Sequence, residues 1–134
     1  MVKTPPTTFS WQDYVNQLTI PLRLVDWEVR VSDSPCDDTD DLASINPTYG
    51  QKRATIRFCE GFDGRSTEEQ RKTIAHELIH CHFWPMTEMA EADIEHFMSS
   101  GEREMFSRGF RRNMEYAVDA LADALAPFLP LPAK

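Results

Sequence analysis

The sequence predicts an α+β fold, a small antiparallel or mixed sheet of about three strands packed on a bundle of about three to four helices. Three observations predict it. Segments with a helical period fill the second half of the chain, short alternating segments cluster in the first, and a glycine-centred turn joins two of the latter. No repeat or composition shift divides the 134 residues, so one domain spanning 1–134 is expected, with residues 1–9 as a flexible leader.

Taken in order, Ser10 with Asp13 three positions on marks a helix start, and that helix runs to about Leu18, ahead of Pro21. From Leu24 to Val31, residues Val25, Trp27, Val29 and Val31 alternate with polar partners, the pattern of a half-buried strand. Residues 32–41 are rich in Ser, Asp and Pro and read as a surface loop. Leu42 to Tyr49 and Ala54 to Cys59 form a strand pair about Gly50-Gln51-Lys52-Arg53. In the second of these, Ile56 and Phe58 share one face, and Thr55 and Arg57 the other. Ser66 with Glu69 is a capping box that opens a long helical pattern. Its apolar stripe is Ile74, Leu78 and Cys81, joined by Ala75 and Ile79. Pro85 is expected to stop that helix, a second to span Thr87 to Met98, Gly101 to break the chain, and a last helix to run from about Phe110 to Ala126.

Composition excludes several classes. With 41% hydrophobic and 27% charged residues the chain is ordinary for a globular protein. Its net charge of −8 argues against nucleic acid as a partner, and the one basic cluster, Arg108, Arg111 and Arg112, is too short to reverse that. No stretch has the length of a membrane span, and the N-terminus has no apolar run of signal-peptide type. Cys36, Cys59 and Cys81 lack metal-type spacing, and an odd number suggests reduced thiols in a cytoplasmic setting.

The chemistry centres on His76-Glu77-Leu78-Ile79-His80. On a helix the two histidines lie about 40° apart, one turn above the other, so both imidazoles can ligate one metal ion. Glu77 between them is placed to take a proton from a water held there. A catalytic zinc site needs a third protein ligand, and the downstream candidates run from Glu88 to Asp123. Helical phase favours one group: Glu115, Asp119, Ala122 and Ala126 fall within about 60° of one another, beside an apolar stripe of Val118, Leu121 and Leu125. Asp123 and Tyr116 point elsewhere, as solvated residues. His82 sits roughly 160° around the helix from His80 and reads as a half-buried structural histidine. His96, Glu91 and Glu95 stay open as alternatives to Glu115.

His76-Glu77-Leu78-Ile79-His80 followed by Glu115-x-x-x-Asp119 resembles the gluzincin metallopeptidases, and Glu115-Tyr-Ala-Val-Asp119-Ala-Leu121-Ala122 is similar to a stretch of the small ImmA/IrrE-type proteases of phages and bacteria. The resemblance covers roughly residues 42 to 127 and implies a minimal zincin-like domain. It implies Zn²⁺ held by His76, His80 and Glu115, Glu77 as the catalytic base, and Asp119 orienting a histidine, most plausibly His76. The implied function is that of a soluble zinc-dependent endopeptidase acting on a protein or peptide, with a transcriptional regulator as the kind of target. An edge strand around Ala54 to Phe58 is expected to pair with that substrate. Two other readings compete: a non-catalytic zincin-like scaffold that binds a protein partner, and a metal-free helical protein whose histidines are incidental.

Overall fold

A computed structural model describes residues 8–34, 36 and 41–134. Helix α1 covers Trp11–Thr19, strands β1, β2 and β3 cover Glu28–Val31, Ala43–Pro47 and Arg53–Phe58, and helices α2 and α3 cover Thr67–Phe97 and Ser100–Leu125. A 3-10 turn at Ala126–Phe128 follows. The α+β expectation holds, with three α-helices and a three-stranded mixed sheet among the described residues.

The helix starts obey the capping signals. The hydroxyls of Ser10 and Ser66 accept the amides of Asp13 and Glu69, at 3.3 and 3.2 Å. The Glu69 side chain does not close the capping box; it reaches Arg65 instead. Phe9, placed in the expected leader, packs edge-on against Trp11 at 4.7 Å, while residues 1–7 of that leader lie outside the described residues.

Two helix boundaries differ from expectation. α2 passes through Pro85 without a break. Proline removes one backbone bond and crowds the preceding turn, but the segment beyond it buries Thr87 and Ile94. That tertiary packing keeps the helical path. The chain turns at Met98 and Ser99, where the Ser99 hydroxyl accepts the Glu102 amide, so Gly101 lies inside the first turn of α3 and this helix begins ten residues before Phe110. β1 is also shorter than its pattern. Leu24 to Trp27 form turns, with Arg23 at φ 60° and Val25 72% exposed.

The sheet order is β1-β3-β2, β1 parallel and β2 antiparallel to β3. This corrects the edge-strand expectation: Ala54 to Phe58 lie on the central strand, which is paired on both sides, and β2 is the edge beside α2. The β1 edge is closed by a side chain. Gln12 of α1 donates to the Val29 carbonyl at 2.8 Å and accepts the Val31 amide at 2.7 Å, in the manner of a neighbouring strand.

Val29, Ala54 and Ile56 from the sheet meet Ile74, Ala75, Leu78, Ile79 and Cys81 from α2, all buried as the stripe predicted. α3 contributes Val118 and Ala122, whereas Leu121 and Leu125 are 40% exposed. Close helix approach selected the small side chains of that face over the large ones beside it. Phe62 is fully buried and stacks on Phe58 at 4.2 Å.

Cys36 and Cys59 are joined in a disulfide, with Cα atoms 4.9 Å apart, because the chain before β2 returns to the end of β3. Three reduced thiols are therefore not what the fold holds. Cys81 alone is free, and burial pushes its thiol up to about 12.

Candidate metal centre

His76 and His80 occupy successive turns of α2, and α3 lies antiparallel beside them. Their Nε2 atoms are 3.2 Å apart. Glu115 of α3 reaches both, with Oε2 at 3.2 Å from His76 Nε2 and Oε1 at 3.0 Å from His80 Nε2. Behind this group, His76 Nδ1 donates to Asp119 Oδ1 at 2.8 Å. That bond fixes the proton on Nδ1 and leaves the Nε2 lone pair facing His80 and Glu115.

These distances test whether zinc suits the residues. Two ligands held about 2.0–2.1 Å from a tetrahedral ion stand about 3.3 Å apart. The two imidazole nitrogens meet that spacing, each has one of the two Glu115 oxygens at it, and among the described residues theirs is the one group of three or more His, Cys, Asp or Glu donors close enough to hold a metal ion. Two imidazoles and a carboxylate form a donor set that suits Zn²⁺ and leaves room for a fourth ligand. The residues fit.

Electrostatics point the same way. Glu77 borders the cavity, and burial, then the carboxylates of Glu115, Asp41 and Asp119, push its carboxyl up to about 8. Burial holds His80 below its ordinary value, against the pull of Glu115, and so favours the neutral imidazole a metal requires. A cation among these groups would offset the repulsion that raises Glu77.

The metal-free protein should carry a signature of this repulsion. A raised carboxyl stabilises the fold below the ordinary value of 4.5, and that stability is lost as pH rises through about 8. His80 works in the opposite sense, but only below its ordinary value of 6.5. Between pH 6.5 and 8 the melting temperature of metal-free protein is therefore expected to fall. In Glu77→Gln the decline should be absent. Thermal melts at several pH values, with and without chelator, check this.

The other candidates lie elsewhere. His82 Nε2 bonds the Leu22 carbonyl at 2.6 Å, a structural role as expected, but the residue is exposed and not half-buried. Glu91 pairs with Arg111, and Glu95 and His96 are exposed on α2 outside the cluster. Asp123 binds Lys72 at 2.6 Å, and Tyr116 is exposed.

A cavity of about 340 Å³ opens beside the cluster, between α2 and β2. Sequence reading missed its walls, β2 with Trp84 and Met114. The helical phase of Trp84, one turn beyond His80, was the available signal. Comparison of the chain with known protein families, curated proteins and solved structures finds no match.

Proposed function

We propose that this chain is a zinc-dependent peptidase, a minimal member of the gluzincin type, which hydrolyses a peptide bond in an extended segment of another protein. The observation that carries the reading is the convergence of His76, His80 and Glu115, backed by Asp119, in a cavity that Glu77 also borders.

His76, His80 and Glu115 would hold the ion, and when bound it supplies Lewis acidity and an acidified water. Glu77 takes the proton of the attacking water and returns it to the leaving amine. Its buried setting keeps its affinity for that proton high. Asp119 holds the ring of His76 in one tautomer. A carboxylate in the position of Glu77 serves catalysis and has no part in a purely structural ion site, which favours an enzyme over a binding scaffold.

The substrate would be held by β2. In the register with β3, Leu42 and Thr48 bond inward, so the intervening odd positions Ala43 and Ile45 turn their amides and carbonyls outward, along the cavity. An added strand can bond there. Resemblance suggests a transcriptional regulator as target. No helix among the described residues is long and apolar enough to cross a membrane. A cytoplasmic setting is part of the proposal, and the Cys36–Cys59 disulfide pulls against it. Trapping the thiol state of the native protein decides that point.

Incubating zinc-loaded protein with cell lysate and mapping new N-termini tests the function. One or a few cut proteins, uncut by Glu77→Gln, are expected. No new terminus beyond those made by the variant would overturn the reading.

A further inference from the structure

The two ends of the cleft differ in chemistry. α2 and β2 run alongside it in the same direction. Glu69, Lys72 and Thr73 border a hollow at the Asp41–Leu42 end, and His80, Trp84 and Thr87 border the cavity at the Ile45–Pro47 end. Asp41, Ala43, His76 and Glu77 are common to both, which places the reacting groups near the middle.

Three features converge at the Pro47 end. Pro47 has no amide proton, so outward main-chain donors stop at Ile45. Ile45, Pro47, Trp84 and Met114 line the cavity there with apolar groups. The Thr87 hydroxyl is already engaged, 2.9 Å from the Phe83 carbonyl and 3.2 Å from Met114 Sδ, and the Trp84 indole nitrogen is buried without a hydrogen-bond partner. Beyond Pro47 the hairpin turn is tied to α2, with the Gly50 amide donating to Glu88 Oε1 at 2.8 Å. This tie bridges strand and helix past the end of β2. Past Ile45 this end of the cleft therefore offers apolar side chains in place of further main-chain donors.

We propose that this pocket selects a large apolar side chain within the two residues preceding the scissile bond, and that Trp84 and Met114 determine the preference. The direction follows from strand pairing. Antiparallel ladders are the more stable, and a segment antiparallel to β2 runs from Pro47 towards Asp41. Its N-terminal side therefore fills the apolar pocket. The inference deepens the peptidase reading and rests on it.

Zinc-loaded wild type is given a randomised peptide library and the cut sites are sequenced. Leu, Met or Phe should be enriched on the N-terminal side of the cut. With defined peptides, Leu there should exceed Asp by at least ~10-fold in kcat/KM, the scale on which an apolar pocket discriminates. The zinc-loaded Glu77→Gln protein should show the same order as affinity, by fluorescence anisotropy. In Met114→Ala and Trp84→Ala, checked for zinc content and melting temperature, the ratio should fall towards one, and Met114→Leu should restore it. Cleavage with the apolar preference on the C-terminal side, or with none, overturns the inference and leaves the peptidase reading standing. Absence of both cleavage and peptide binding removes the two together.

Discussion

Zinc-loaded Glu77→Gln protein is expected to keep its metal and its fold and to lose peptide cleavage by roughly 10²- to 10⁴-fold, the range that a positioned acid–base group contributes. The amide nearly matches the carboxylate in shape, so the cavity walls and the three donors should stay in place. What it cannot do is take a proton. The change also removes a carboxyl whose ionisation is opposed by burial and then by Glu115, Asp41 and Asp119, so the variant should fold at least as stably as wild type when metal-free. Loss of activity with gain of stability separates a catalytic role from a structural one. Turnover measured beside zinc content and melting temperature gives all three readings. Equal cleavage by the two proteins would reject Glu77 as the base.

Glu115→Ala is expected to weaken zinc binding by more than the roughly 10–100-fold that the outer partner of a metal ligand is worth. Its carboxylate oxygens stand 3.0 and 3.2 Å from the two imidazole nitrogens, and among the described residues no other carboxylate joins that group. Asp119→Ala should cost within that 10–100-fold range, because it frees the ring of His76 without removing a ligand. Glu91→Ala, Glu95→Ala and His96→Ala should leave affinity unchanged. Competition with a chromophoric chelator measures each. Retention of zinc by Glu115→Ala, with loss in one of the other three, would place the third ligand on α2.

The site was more legible than its surroundings. Helical phase is a local property, so the spacing of His76 and His80, the stripe of Ile74, Leu78 and Cys81, and the shared face of Glu115 and Asp119 all carried into the fold. The hairpin about Gly50, whose φ is +72°, was local in the same sense. Other features depended on partners distant in sequence. Pro85 breaks a helix by its own chemistry, and only the packing around Thr87 and Ile94 keeps α2 whole. Strand order decides which edge is open, and nothing in Ala54 to Phe58 says that β1 and β2 flank it. Periodicity alone cannot choose between the adjoining faces of Leu121 with Leu125 and of Val118 with Ala122; the closeness of the facing helix decides. Cys36 and Cys59 pair because the chain returns on itself, which their spacing does not encode.

Native mass spectrometry of untagged protein, after zinc loading and removal of free metal, tests the metal centre most directly. One zinc ion per folded chain is expected, lost together with the His76 and His80 imidazoles in a His76→Ala, His80→Ala double variant. A folded chain that takes up no zinc would contradict the metal centre and every catalytic role assigned around it.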